Sequence, residues 1–115
     1  MRAFLNGVEG GLIQLAKDSD NVINGIILED AGGQHDLSTA SVDLVLQIKP
    51  DRSDGIANAV LVAAAAIVAA ADGTFTVTIA DTALTFGPGR YYGFVRRTLA
   101  TDIQFGSKYT IIDIV

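Results

Sequence analysis

The residues best suited to chemistry in this sequence lie in one glycine-rich stretch. The candidate ligands of a carboxylate–histidine metal site are Glu29, Asp30, His35 and Asp36. A zinc site needs three or four convergent ligands and favours cysteine or histidine, but the chain has no cysteine and one histidine. These residues are therefore interpreted as a polar turn, and no metal or cofactor is predicted.

Two other patterns resemble ligand-binding loops without the residues that make such loops specific. Asp18 and Asp20 have the spacing of the first calcium ligands, but the later glycine and bidentate glutamate are missing at the required offsets. The GPGR sequence at 87–90 lacks the helix start and the Lys-Ser/Thr sequel of a phosphate loop. Both segments are predicted to be turns.

Catalysis is not expected. A serine or threonine nucleophile needs a base to activate it, and His35 is the only histidine in the sequence. We predict that the chain is not an enzyme and has no catalytic residue.

The segment 91–98 carries the best candidates for a surface contact. In a strand, Tyr91 and Tyr92 face opposite sides, and so do Arg96 and Arg97, so the two arginines do not form one basic patch. Tyr91, Tyr92 and Arg97 are the candidate partner contacts, and packing in the core is the alternative for the tyrosines.

Charge and hydrophobicity exclude several kinds of partner. The net charge is −5, and a surface that follows phosphates needs clustered basic residues, so no nucleic-acid partner is predicted. The longest apolar stretch, 59–71, is shorter than the roughly 20 residues of a membrane span, and the N-terminus lacks a signal-peptide core. No membrane contact is predicted. Only 18% of residues are charged, which fits either a surface covered by other subunits or an alanine-rich surface.

Alternation with period two is the main structural signal. It is clearest at 41–49, where Val42, Leu44, Leu46 and Ile48 alternate with residues predicted to face water, and Pro50 ends the strand. Other strands are predicted at 12–17, 22–28, 74–80, 91–98 and 109–115. The alanine-rich stretch 56–71 favours two short strands over a helix in this context.

These patterns predict one mainly β domain. We expect a flexible N-terminal arm over 1–11 and a single antiparallel β-sandwich over 12–115, of about seven or eight strands. A short alanine-rich helix within 56–71 is the alternative for that segment.

Two stretches, Leu28–Pro50 and Asp72–Thr98, resemble the small immunoglobulin-like β-sandwich of tailed-bacteriophage structural proteins. The resemblance is to the N-terminal domain of baseplate upper proteins and to related tail or fibre modules. Its motifs are Asp36-Leu37-Ser38, Asp72-Gly73, Asp81-Thr82 and Gly89-Arg90-Tyr91. The alanine-rich segment departs from it, since a more polar hairpin is expected there.

The resemblance implies a non-enzymatic virion protein that is assembled in the host cytoplasm. A tail, baseplate or fibre-attachment role is preferred, and a capsid decoration (cement) role is the alternative. Its expected partners are other virion proteins and further copies of itself, with a trimer as one arrangement. A small carbohydrate-binding sandwich is the further alternative, with Tyr91 or Tyr92 beside Asp102 and Gln104 as its candidate site.

Overall fold

Ten strands and two short 3-10 helices make up the described part of the chain. The computed structural model describes residues 1–30, 33, 35–50 and 56–115. The strands are β1 (Arg2–Leu5), β2 (Leu12–Leu15), β3 (Asn21–Leu28), β4 (Ser41–Gln47), β5 (Ala59–Ala64), β6 (Ala66–Ala69), β7 (Thr74–Ile79), β8 (Gly89–Leu99), β9 (Asp102–Phe105) and β10 (Thr110–Ile114). The 3-10 helices are Ala70–Asp72 and Asp81–Ala83.

The strands form two sheets with an immunoglobulin-like order. One sheet runs β1-β3-β7-β6, and the other runs β2-β10-β8-β4-β5, with β9 paired to the far end of β8. This is the A-B-E-D and G-F-C-C′ arrangement of an immunoglobulin-like sandwich. The pairs are antiparallel except β2 with β10, which is parallel. The predicted fold class is confirmed, although the described chain holds ten strands rather than seven or eight.

The core lies between the two sheets. It is filled by the inward residues of the alternating strands, among them Ile23, Leu44, Phe75, Val95 and Ile112, each at most 3% exposed. Because successive strand residues face opposite sides, the predicted alternation of 41–47 and 74–79 supplies this core directly. The prediction is wrong for Ile48, which follows the end of β4 and is 60% exposed.

Gly25 gives the core one of its tightest contacts. A Cβ built on Gly25 would lie 2.1 Å from the ring of Phe75, which is its partner across β3 and β7. The tip of the ring therefore occupies the space beside the glycine, and no larger residue fits there without displacing the ring.

The predicted N-terminal arm is wrong for residues 2–5. They form β1, which pairs with β3 from Arg2 opposite Leu28 to Leu5 opposite Gly25. Ala3 and Leu5 are buried, and burial of these apolar side chains holds the segment on the sheet.

The alanine-rich stretch forms β5 and β6, as the strand interpretation predicted. The chain crosses from one sheet to the other at Ala65, and helical structure is limited to the single 3-10 turn Ala70–Asp72. Exposure alternates along β6 and along the second half of β5, so tertiary packing of one face overrides the helix preference of alanine.

The prediction that the outer face of β4 contacts water is confirmed only in part. Ser41 is exposed, as predicted, but Gln47 is fully buried, and so is Val45, the apolar residue on this face. Further structure therefore covers the middle of this face.

Candidate functional site

Tyr91 is a structural residue rather than a surface contact. Its side chain faces the core, and its hydroxyl lies 3.1 Å from the carbonyl oxygens of both Phe86 and Gly87, where it donates its proton. The Phe86 ring packs edge-on against it at 4.8 Å. This is the tyrosine corner of immunoglobulin-like folds. It fixes the turn at 87–90, and it removes Tyr91 as a direct partner contact.

Arg97 is also buried, at 3% exposure, so the predicted partner contact through it is wrong. It lies on the inner side of β8 near the end of the sandwich, and its Nη2 donates to Asp102 Oδ2 at 2.7 Å. Its Nη1 contacts Nε2 of His35. Because a guanidinium has only donors, His35 accepts this bond.

Glu29 approaches the ring of His35, whereas Asp36 bonds elsewhere. Glu29 Oε1 lies 2.5 Å from His35 Nδ1, without hydrogen-bond geometry. Asp36 instead accepts the Ser38 amide at 2.9 Å. Hydrogen bonds from the Ser38 hydroxyl and amide lower the pKa of Asp36. In the described residues no three potential ligands come together as a metal site, and the partner of His35 is the Arg97 cation.

Tyr92 lies on the outer side of the six-stranded sheet, away from Tyr91 and Arg97, so the three predicted contact residues do not form one site. It is half-buried and packs edge-on against Tyr109 at 5.3 Å. Tyr109 also contacts Phe94 at 5.8 Å, and Phe94 contacts Phe105 at 6.4 Å. We call Tyr92, Phe94, Phe105 and Tyr109 the outer aromatic cluster.

The outer aromatic cluster forms an apolar layer outside the main core. Phe94 is 2% exposed and lies opposite the fully buried Val45 in the register of β4 and β8. Tyr109, 40% exposed, is the accessible edge of the layer. A cavity of about 460 Å³ opens beside it, with Phe94, Ile111 and Lys108 among its lining residues.

Charged residues beside the cluster are neutralised in pairs. Arg96 Nη2 donates to Asp43 Oδ2 at 2.8 Å. Arg90 binds Asp113 through Nε and Nη2, at 2.9 and 3.0 Å. These bonds lower the pKa of Asp113 and raise that of Arg90. The outer face therefore presents aromatic and paired groups rather than free charge.

The sugar site considered from the sequence is not assembled. Tyr92 lies opposite Gln47 and Ile111, whereas Asp102 and Gln104 pair with the far end of β8. Tyr92 and the Gln104 partner Arg97 are five positions apart on β8, which is about 16 Å. Sequence reasoning missed Phe105 and Tyr109, because they reach Phe94 only through strand register.

The edge of the six-stranded sheet next to β4 is formed by β5 and has an unusual composition. The stretch 56–71 contains no charged residue. Along this edge Ile48, Ile56 and Val62 are 60%, 45% and 41% exposed. Apolar exposure of this kind, beside an open sheet edge, is typical of an interaction surface.

The described residues contain no helix long and apolar enough to cross a membrane. No family model matches the sequence, and no curated protein matches it.

Two solved structures resemble the chain. A DUF4784 family protein from Bacteroides caccae is 9% identical with a TM-score of 0.51, over 97% of this chain. This chain spans only 23% of that protein's length. AggA, the major subunit of aggregative adherence fimbriae type I from Escherichia coli, is 10% identical with a TM-score of 0.41, over 98% of this chain and 93% of AggA. The similarity to the DUF4784 protein concerns the fold alone.

Proposed function

We propose that this chain is a non-enzymatic structural module that assembles with other proteins of a phage particle, in the tail, the baseplate or a fibre attachment. The observation that carries the proposal is the uncharged, apolar edge at β5 in a protein of net charge −5. The resemblance of Leu28–Pro50 and Asp72–Thr98 to tailed-phage modules supports the choice of particle. A capsid decoration role uses the same surface, at a different position on the particle.

The roles taken by the polar groups are consistent with a protein that binds rather than reacts. Its single histidine is engaged by Arg97, and its best-placed tyrosine hydroxyl is bonded to the backbone. The remaining arginines of β8, Arg90 and Arg96, are bound to Asp113 and Asp43. Each of these groups stabilises the sandwich.

Labelling of particles tests the proposal. Particles would be prepared from the host that carries the gene, labelled with an antibody to the chain, and viewed by electron microscopy. Label at the tail tip or fibre base is the expected result, and label over the head would favour the decoration role. Particles that bind no antibody, although the chain is expressed, would contradict both roles.

The cavity beside Tyr109 favours a second candidate function, the binding of a small carbohydrate. An aromatic face next to Lys108 and Ser107 offers a stacking surface with polar groups at its rim. Screening on a glycan array followed by titration calorimetry tests this function. Binding that is lost in Tyr109→Ala and kept in Tyr91→Phe would support it, and absence of binding at millimolar sugar would exclude it.

A further inference from the structure

The free side of β5 exposes backbone groups that are ready to pair. Ala65 donates its amide to Val42 of the neighbouring β4 segment at 2.8 Å. Because bonding direction alternates along an antiparallel strand, Ala63 also faces β4, whereas Val62 and Ala64 point their N–H and C=O groups outward. Within the described residues β5 is the last strand on this side of its sheet. The outward groups of Val62 and Ala64 therefore offer a template for another strand.

The second half of this edge lacks the devices that usually prevent pairing. Proteins protect open edges with lysine, proline, inward charge or a bulge. The register shift of β5 falls between Ala59 and Leu61, and the residues from Val62 to Ala64 carry no charge, no proline and no further shift. Other edges of the sandwich differ. The edge strand β1 carries Arg2, paired with Glu9, and β6 has only four residues.

We infer that the occupant of this edge is the β5 strand of a second copy of this chain, antiparallel to the first across a two-fold axis. The inference rests on the proposed function, because it identifies a second copy of the chain as a partner that binds the assembly surface at β5. Two copies of a protein with charge −5 repel each other through most of their surfaces, and the 56–71 stretch lets them approach without bringing any charge together. A two-fold axis also lets one self-complementary strand supply both halves of the contact.

The contact is centred on Val62. Among the residues whose N–H and C=O groups point away from β4, Val62 lies nearest the middle of β5 (Ala59–Ala64). Its side chain lies on the outer face, since Val62 is opposite Val45 in the register with β4. In the dimer the two Val62 side chains meet at the axis, so that the apolar row of Val45 and Val62 continues across the junction. The two six-stranded sheets then form one sheet.

Sedimentation velocity over a range of concentrations tests the inference. The wild-type chain is expected to form a dimer, and Val62→Lys is expected to weaken dimerisation at least tenfold, because two ammonium groups meet at the axis. Val22→Lys is the matched control. Val22 is a 59% exposed valine in β3 of the opposite sheet, and the control should leave the dimer intact.

If Val62→Lys fails to fold, hydrogen exchange on the wild-type chain tests the inference instead. The amides of Val62 and Ala64 should become protected as concentration rises through the dimer range. A wild-type chain that stays monomeric, a trimer, or a dimer unaffected by Val62→Lys would overturn the inference. If the particles bind the antibody and the isolated chain is monomeric, the proposed function stands and only the contact between two β5 strands is excluded.

Discussion

The two outer faces of the sandwich are built differently. On the four-stranded sheet, the outward residues of β3 and β7 include Val22, Asn24 and Thr78, all exposed to solvent. On the six-stranded sheet, the equivalent layer includes Val45 and Phe94, which are almost completely buried. One outer face is a plain solvated surface, whereas the other carries a second apolar layer and ends at an open, uncharged edge. We therefore expect the interacting surface on the six-stranded sheet and a supporting role for the other sheet.

The largest loss of stability is expected when the second apolar layer, on the six-stranded sheet, is disrupted. Phe94→Ala should lower the free energy of unfolding by about 3–5 kcal/mol, because it deletes a buried aromatic ring and leaves a cavity. Thr76→Ala, on the outer face of the four-stranded sheet, should change it by less than about 1 kcal/mol. Urea unfolding of both variants measures the difference. Equal effects would mean that the outer aromatic cluster contributes nothing particular to stability.

The adjacent residues Arg96 and Arg97 lie on the outer and the inner side of β8, respectively. Arg97→Ala should cost about 3 kcal/mol, since it leaves the buried His35 without its donor and empties the space of a buried side chain. Arg96→Ala removes the outer pair with Asp43, whose carboxylate keeps some contact with water, and should cost about 1–2 kcal/mol. Thermal and urea unfolding of the two variants give the comparison. A larger loss for Arg96→Ala would contradict the placement of these side chains.

In the four-stranded sheet, substitutions should lower the free energy of unfolding only on the inner face. Gly25→Ala should cost about 1–3 kcal/mol, because the new methyl group collides with the Phe75 ring and the core must rearrange. The double variant Gly25→Ala, Phe75→Leu should recover part of this loss if the ring is the cause. Chemical denaturation tests both variants. Stability unchanged by Gly25→Ala would rule out the close contact.

The smallest effect concerns the surface pair of Arg90 and Asp113. Arg90 lowers the pKa of Asp113 in the folded state. The stabilisation is therefore present above the unfolded pKa of about 3.9 and is lost as the pH falls through the folded value. Asp113→Asn should be slightly less stable than wild type at pH 7, and the gap should close in acid.

Urea midpoints at several pH values measure this gap. Arg90→Gln removes the same pair and should match Asp113→Asn at pH 7. A gap that stays constant down to pH 2 would show that the carboxylate charge is not involved.

Alternation along single strands made the fold predictable. The patterns at 41–49, 74–80 and 109–115 correspond to β4, β7 and β10, because burial of one face imposes a period of two on the sequence. β1 was missed because Gly7, Gly10 and Gly11, which follow it, suggested a loose segment.

The candidate site was less predictable, because it depends on contacts distant in sequence. Arg97 is 62 residues from His35, and nothing in the local pattern around Arg97 indicates that it is buried. The outer aromatic cluster likewise requires the register of β8 with β9 and β10. The uncharged stretch 56–71 was visible in the sequence, but its position at a sheet edge was not.

Cross-linking at Val62 is the most direct test of the β5 contact. The chain has no cysteine, so Val62→Cys introduces a single thiol. Two strand residues that form a hydrogen-bonded antiparallel pair have Cα atoms about 5.5 Å apart, which is within the range of a disulfide. Under mild oxidation, Val62→Cys should form a disulfide-linked dimer rapidly, whereas Val22→Cys should form little. Equal, slow cross-linking of both variants would contradict a dimer formed through the β5 edge.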